Sequence, residues 1–265
     1  MNDEKKNNKV MLIGLLLIAL VFVFTFFRSG FKKQDSGKSN ASKEVISYAQ
    51  VSADDLKSKI KNSENIQIID IRSQDEFKIE HIVDSLNINS EESANEINPE
   101  KTIIIIGNSS ESDEYSGIIK LLKNKQTKSV LVLTGGFPAW KNSNGNTISI
   151  GNPSSFFDQS KVTYIEPEKL KEIVENSNYQ KFIIDIRGKQ SFDNGHIPGA
   201  INIFADDLEK SKDKIPYGKE IFVYGDTETQ GFQGGVRLYD LGFLASQSLQ
   251  GGFAGWKEKG FPVKK

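Results

Sequence analysis

The residues of this chain best suited to move protons near neutral pH are its two histidines, His81 and His196. Each follows an Asp-x-Arg motif by the same interval, and the two histidines lie about 115 residues apart. The chain contains no cysteine, which excludes a thiol nucleophile, a thiolate metal site and a disulfide. One histidine in each copy of the motif is too few for an imidazole-rich metal site, so we predict no metal and no cofactor.

Most of the chain is a duplicated unit. The only two tryptophans, Trp140 and Trp256, close matching Gly-Gly-Phe segments at nearly the spacing of the histidines. One unit of roughly 100 residues, large enough to bury its own core, is therefore present twice. The copies have diverged, because residues 195–200 read Gly-His-Ile-Pro-Gly-Ala where residues 80–85 read Glu-His-Ile-Val-Asp-Ser.

The composition is that of an ordinary globular protein. Of the 265 residues, 37% are hydrophobic and 26% are charged, and the formal net charge is -1. A protein that binds nucleic acid usually carries a basic patch or a strong positive charge, and this chain has no such excess. We therefore predict no nucleic-acid partner.

The N-terminal region contains a candidate membrane anchor. Residues 10–27 form an uninterrupted run of 18 residues without a charge. As a helix this run would be about 27 Å long, close to the hydrocarbon thickness of about 30 Å. The alternative is a cleaved signal peptide, which would have a shorter apolar core and small residues before the cleavage site. Three basic residues stand on each side of the run, so the charge rule does not fix its orientation.

The sequence divides into six segments. The stretch after the anchor is polar and rich in lysine and serine, as in a flexible tether, and Gly, Asn and Pro cluster between the two copies. The predicted order is a tail over 1–9, a transmembrane anchor over 10–27, a tether over 28–45, a first domain over 46–142, a linker over 143–161 and a second domain over 162–265.

Within each copy, short apolar runs alternate with helical periodicity, which predicts an α/β domain with a central, mainly parallel sheet flanked by helices. We expect these runs to be central strands, covered on both faces. They are Ile66–Ile69, Leu86–Ile88 and Ile103–Ile106 in the first copy, and Phe182–Asp185, Ala200–Ile203 and Ile221–Tyr224 in the second. Ligands of such sheets bind at the carboxyl ends of the strands, which directs attention to the loops that begin at Gly107 and Gly225.

Taken in order, these motifs resemble the rhodanese-like domain. They are Asp-x-Arg, Phe192, the Gly-His-Ile-Pro-Gly-Ala segment, an apolar strand that enters a loop and a helix, and the final Gly-Gly-Phe-x-x-Trp. The resemblance covers residues 46–142 and 162–263. It implies a sulfurtransferase fold in which a cysteine after the central strand carries sulfur as a persulfide. The positions equivalent to that cysteine are Gly107 and Gly225, so both nucleophiles are missing.

The loops offer no replacement for the nucleophile. Serine or threonine would need an adjacent base, and neither loop contains histidine or lysine. We expect the hydroxyl groups to cap the following helices, and the acidic residues of both loops, Glu111, Asp113, Glu114, Asp226 and Glu228, to weaken the binding of anions. Related phosphatase loops need an arginine at the position of Gly231. The candidate ligand-loop residues are Asp226, Thr227, Glu228, Thr229, Gln230 and Gly231.

The remaining motif residues are expected to be structural rather than catalytic. The resemblance implies that each histidine ties a loop by hydrogen bonds, and the Asp and Arg side chains at the strand ends are expected to fix the same loop. The tryptophans are expected to anchor the core beside the closing turn. These residues are Asp70, Arg72, His81 and Trp140 in the first copy, and Asp185, Arg187, His196 and Trp256 in the second.

These observations predict a single-pass membrane protein with two rhodanese-like domains that have lost sulfur chemistry and serve as a binding or regulatory module. Its partners would be the lipid bilayer, through residues 10–27, and a protein of unknown identity. The short leading tail and the absence of cysteine favour domains outside the cytoplasm. Two alternatives stay open: a sulfurtransferase that uses a thiol supplied in trans or an unrecognised residue, and a structural spacer at the cell envelope.

Overall fold

The computed structural model of the protein describes residues 48–109 and 111–265. The predicted tail, the predicted anchor over 10–27 and the tether lie outside these residues. Among the helices that are described, none is long and apolar enough to cross a membrane.

The first repeat consists of a five-stranded parallel sheet and a small antiparallel pair. The sheet order is β1-β6-β5-β2-β4, and β3 pairs with β7. The strands are β1 (Ala49–Val51), β2 (Ile66–Asp70), β3 (Glu80–Ile82), β4 (Leu86–Asn87), β5 (Thr102–Ile106), β6 (Ser129–Leu133) and β7 (Thr147–Ser149). The helices are α1 (Ala53–Lys61), α2 (Gln74–Ile79), α3 (Ser112–Asn124) and α4 (Gly136–Asn142), with a 3₁₀ turn at Ser93–Glu96.

The second repeat has a parallel sheet of the same design, with the order β8-β12-β11-β9-β10. Its strands are β8 (Thr163–Ile165), β9 (Lys181–Asp185), β10 (Ala200–Asn202), β11 (Glu220–Tyr224) and β12 (Gln247–Leu249). The helices are α5 (Phe156–Gln159), α6 (Pro167–Glu175), α7 (Lys189–Asn194), α8 (Glu228–Asp240) and α9 (Gly252–Glu258), with 3₁₀ turns at Ala205–Asp207 and Lys212–Lys214. The prediction of two α/β units with parallel sheets flanked by helices is confirmed.

Each sheet is covered on both faces because successive side chains of a strand point to opposite sides. In β5, Ile103 and Ile105 pack in one buried cluster, whereas Ile104 and Ile106 pack in another. In β11, Phe222 and Tyr224 belong to one cluster, and Ile221 and Val223 to the other. Central strands with two buried faces place the loops at their carboxyl ends on a rigid support.

Two of the predicted central strands are in fact edge strands. Within the part of the chain that the structure describes, β4 pairs only with β2, and β10 pairs only with β9. Ile201 is accordingly 47% exposed. The prediction was wrong because an apolar run shows that a strand is partly buried, but the position of the strand in the sheet depends on pairing with distant residues.

Part of the predicted linker belongs to the folded repeats. Residues Thr147–Ser149 form β7, which pairs with β3, and Phe156–Gln159 form α5. Ser155 caps α5, since its hydroxyl accepts a hydrogen bond from Asp158 N. The turn residues in this segment mark its corners, while its three-residue strand is too short to give a periodic signal.

Candidate functional site

The loop after β11 is the place where the resemblance puts the sulfur-carrying residue. Gly225 follows the strand, and α8 begins three residues later with Thr227 as its N-cap. The side-chain oxygen Oε1 of Gln230 accepts hydrogen bonds from Asp226 N at 2.8 Å and Thr227 N at 3.2 Å. In return, Thr227 Oγ1 accepts a hydrogen bond from Gln230 N at 3.3 Å. This reciprocal capping box satisfies backbone N–H groups that would otherwise be available to a ligand.

Gln230 also occupies the space into which a side chain at position 225 would project. A Cβ atom built on Gly225 would overlap with Cβ of Gln230 and would lie 3.1 Å from its Oε1. Because Cβ of Gln230 is fixed to the helix backbone, a change of its rotamer does not create room. Glycine at position 225 is therefore a requirement of the packing.

We call the backbone N–H groups of this loop the cradle: those of Asp226 and Thr227 in the second repeat, and those of Asn108 and Ser109 in the first. In the first repeat a carboxylate fills the cradle. Glu114 accepts hydrogen bonds from Asn108 N at 2.6 Å and from Ser109 N at 3.1 Å, and Ser109 Oγ donates to it at 3.0 Å. A Cβ atom built on Gly107 would lie 2.5 Å from Glu114 Oε1. Glu114 thus stands where an anionic ligand would bind, on backbone donors before a helix.

Glu114 and Gln230 are equivalent residues. Glu114 lies seven residues after Gly107 and Gln230 five residues after Gly225, and the first loop is about two residues longer than the second. The sequence predicts that Glu114 weakens anion binding and that Gln230 belongs to the ligand loop. The structure shows in addition that both side chains fold back onto the loop, and Thr-x-x-Gln at residues 227–230 is the capping signal that indicates this for Gln230.

Among the other candidate ligand-loop residues, the two acidic ones have partners within the fold. Asp226 lies 3.3 Å from Arg187 NH1, and Glu228 accepts a hydrogen bond from Gly251 N at 2.9 Å. Thr229 is exposed on the first turn of α8, and Gly231 is buried near Ser248 of β12. The acidic residues of this loop are therefore held by partners within the fold.

Removal of the Glu114 side chain should open the first cradle to anions. We expect Glu114→Ala to be stabilised by sulfate beyond the general salt effect, by on the order of 1 kcal/mol when sulfate exceeds its dissociation constant about tenfold. Thermal unfolding of the variant and the wild type across a sulfate series measures this difference. Glu111→Ala removes a nearby charge that does not enter the cradle and is the matched control. Equal sulfate responses in all three proteins would show that Glu114 does not block an anion site.

Each Asp-x-Arg motif forms a buried ion pair at the end of a strand. Arg187 Nε lies 2.9 Å from Asp185 Oδ1, and Arg187 NH2 lies 2.6 Å from Asp185 Oδ2. Arg187 NH2 also donates to Gly195 O at 2.7 Å, and its guanidinium stacks 3.8 Å above the ring of Phe253. Burial disfavours the charged guanidinium, but the hydrogen bonds and charge of Asp185 outweigh it and raise the pKa of Arg187. Arg187 thus holds together the end of β9, the loop at Gly195 and the closing turn, which is the Gly-Gly-Phe segment at residues 251–253.

The first repeat repeats this arrangement. Arg72 binds both carboxylate oxygens of Asp70, donates to Glu80 O at 2.9 Å and stacks 3.6 Å above the ring of Phe137. Both aspartates are completely buried, and both arginines are 6% exposed. Both oxygens of each carboxylate are therefore bound by the arginine two residues later.

The two histidines bind backbone carbonyls four residues earlier in the chain. His81 Nδ1 lies 2.7 Å from Phe77 O, and His196 Nδ1 lies 3.0 Å from Phe192 O. Each imidazole also stacks on the ring of that phenylalanine. The carbonyl accepts the hydrogen bond, so Nδ1 carries a proton in both cases.

The repeats differ at the second nitrogen of the histidine. His81 Nε2 lies 3.0 Å from Glu209 Oε2 of the second repeat, and Asp84 N donates to Glu209 Oε1 at 2.6 Å. Burial of the Glu209 carboxyl opposes its ionisation, but the hydrogen bonds from His81 and Asp84 N lower its pKa. This glutamate connects the two repeats.

The tryptophans fix the closing turn in each repeat. Trp140 and Trp256 are buried, and their Nε1 atoms donate to Asn146 O at 3.1 Å and Pro262 O at 2.8 Å. In the second repeat, the turn binds the cradle directly, because Phe253 N donates to Gly225 O at 2.9 Å. The cradle is thus held from two sides, by Gln230 and by the closing turn.

Comparison with known proteins gives one family model and several similar proteins. A family model of the rhodanese-like domain matches residues 52–143 and 166–259. The uncharacterized protein YqhL of Bacillus subtilis is 31% identical over 77 residues, which are 29% of this chain and 61% of that protein. A thiosulfate sulfurtransferase structure from Pseudomonas aeruginosa has 18% identity and a TM-score of 0.44, and the match covers 82% of this chain and 43% of that one. The rhodanese-like domain of the Anabaena protein Alr3790 has 29% identity and a TM-score of 0.36, and the match covers 38% of this chain and 77% of that one.

The chain spans less than two thirds of the length of the Bacillus and Pseudomonas proteins. The family model nevertheless matches more than half of this chain, once in each repeat and over the segments that carry the Asp-x-Arg, histidine and Gly-Gly-Phe motifs. The chain therefore belongs to the rhodanese-like domain family, with two domains of that family in tandem.

Proposed function

We propose that this protein is a membrane-anchored, catalytically inactive tandem rhodanese-like protein that acts as a binding or regulatory module. The observation that carries the proposal is that both cradles are filled by the chain itself. Glu114 binds the backbone donors of the first cradle and Gln230 those of the second. The chain also contains no cysteine that could carry sulfur.

The hydroxyl groups in the cradles are engaged in structural hydrogen bonds. Ser109 Oγ donates to Glu114, and Thr227 Oγ1 accepts from Gln230 N. Even with the Glu114 carboxylate beside Ser109, an alcohol would hold sulfur through oxygen, and a sulfur atom bound to oxygen is not a persulfide. These contacts support loss of sulfur transfer in both domains rather than replacement of the nucleophile.

The proposal places residues 10–27 in the lipid bilayer and the two domains outside the cytoplasm, where they bind a protein partner. It rests on the length of the uncharged run and on the absence of cysteine from a body that an oxidising compartment would otherwise cross-link. Protease digestion of intact cells separates this orientation from the opposite one, since only exported domains are cleaved.

A cyanide–thiosulfate assay on the purified full chain tests the loss of activity. We expect no thiocyanate formation above a boiled control, because neither domain can hold the sulfane sulfur. A rhodanese with an intact cysteine, assayed in the same detergent, shows that the conditions support turnover.

A second arm of the assay adds a small thiol. Turnover without added thiol would contradict the proposal and indicate an unrecognised nucleophile. Turnover that appears only with the thiol, and that depends on the protein, would favour a sulfurtransferase with its thiol supplied in trans.

A further inference from the structure

A cavity of about 330 Å³, open to solvent on one side, lies between the two repeats and borders neither cradle glycine. Helix α2 and strand β4 line it from the first repeat, and the segment around the 3₁₀ turn Ala205–Asp207 lines it from the second. We infer that this cavity binds a small molecule that combines an apolar body with one anionic group. The inference deepens the proposed binding function by naming a site and a ligand class.

The inner wall of the cavity is apolar. Ile148 of β7 and Leu208 are almost completely buried, and Phe77 and Leu86 are partly buried beside them. These four side chains come from both repeats, so the wall exists only when the repeats are packed together. The volume lies in the range of small-molecule sites, in which burial of apolar surface supplies most of the affinity.

The outer wall carries hydrogen-bond donors that the fold does not use. Lys78, Lys210 and Gln74 line the cavity and are exposed, and within residues 48–109 and 111–265 they have no ion-pair or side-chain hydrogen-bond partner. Two ammonium groups and one amide are suited to a carboxylate or a related anion. Their position at the rim leaves the apolar wall for the body of the same ligand.

Most acidic side chains of the cavity are neutralised by partners within the protein. Glu209 accepts hydrogen bonds from His81 and Asp84 N, and Asp206 lies 3.1 Å from Arg237. Glu96 is the only lining carboxylate without such a partner among the described residues. The unpaired charges are therefore two lysines against one glutamate, which favours an anion over a cation.

The two histidines allow ligand binding to be measured with one of them as an internal control. His81 lines the cavity, whereas His196 occupies the matching position of the second repeat and does not line it. A full chain labelled with ¹³C-histidine and placed in lipid nanodiscs has two Cε1–H signals, which the variants His81→Gln and His196→Gln assign. The probe is 4-phenylbutyrate, compared at constant pH with the neutral 4-phenylbutanamide and with acetate.

We expect 4-phenylbutyrate to shift the His81 signal in a saturable manner and to leave the His196 signal in place. The amide should bind more weakly because it lacks the charge, and acetate because it lacks the apolar body. Lys78→Gln and Lys210→Gln should each weaken the binding about two- to fivefold, as expected for partly exposed ion pairs. Lys219→Gln changes an exposed lysine outside the cavity and is the matched control.

An absent or unsaturable His81 shift would overturn the inference, as would equal shifts of both histidines or equal affinity for the amide. If both Lys78→Gln and Lys210→Gln bound the probe as tightly as the wild type, the claim that these lysines bind an anionic group would be overturned. None of these results bears on the cyanide–thiosulfate assay, so failure of the site and failure of the inactive-cradle proposal are separate outcomes.

Discussion

Replacement of Asp185 by asparagine is expected to lower the free energy of unfolding by about 3–5 kcal/mol. The carboxylate is completely buried and binds Arg187 through both oxygens. Asparagine has nearly the same shape, but it leaves the buried guanidinium without its counter-charge. Asp226, 3.3 Å from Arg187 NH1, is half exposed and cannot take over the bidentate geometry. Urea unfolding of the full chain, followed by the fluorescence of the buried tryptophans, measures the loss.

The control for this variant is another carboxylate-to-amide change in the same part of the fold. Asp193 forms an exposed pair with Lys189 on α7, so Asp193→Asn should cost less than about 0.5 kcal/mol. If the two variants lost similar stability, the buried pair would not be the fixed point of the loop that the structure indicates.

The second large effect is expected at the closing turn. Gly252 has φ +58°, and a Cβ atom at this position would lie 2.6 Å from the carbonyl carbon of Thr227. The left-handed conformation costs an alanine about 1–2 kcal/mol, and the clash with backbone adds about 1–3 kcal/mol. We therefore expect Gly252→Ala to lower the free energy of unfolding by about 2–5 kcal/mol and to displace the turn from the cradle.

The variant Gly260→Ala separates the cost of the left-handed conformation from the cost of the clash. Gly260 also has a positive φ, +68°, but a Cβ atom there would have no neighbour within 4 Å. This variant should lose only the conformational share, about 1–2 kcal/mol. If urea unfolding gave the same decrease in the free energy of unfolding for both variants, the closing turn would not be in close contact with the cradle loop.

Some features of the protein follow from its residues alone. The duplication, the absence of a sulfur nucleophile and the α/β pattern are properties of composition and local periodicity. Runs such as Ile103–Ile106 are apolar on both strand faces, which is typical of a central parallel strand. These local signals predicted the two rhodanese-like domains, which the family match and the structure confirm. The membrane anchor over 10–27 and the absence of catalysis stay predictions.

Other features depend on residues far apart in the chain. Strand β12 contains only Gln247–Leu249 and gives no periodic signal, yet it lies between β11 and β8 because both neighbours pair with it. Strand β6 was also missed, although its apolar run Ser129–Leu133 is longer. Neither its pairing with β1 nor that with β5 can be read from local sequence.

The state of the cradles was decided by how each loop joins its helix, through contacts between residues three to six positions apart. The sequence showed glycine at positions 107 and 225 and acidic or amide residues after them, but the direction of each side chain follows from the helix that carries it. Glu114 and Gln230 turn back onto the loop because a helix N-terminus leaves N–H groups that need acceptors. The cavity between the repeats was decided by tertiary structure, since His81 and Glu209 are 128 residues apart and meet only when both domains are folded and packed. Local propensity acts between neighbours in sequence, whereas the shape of this cavity depends on side chains that only the complete fold brings together.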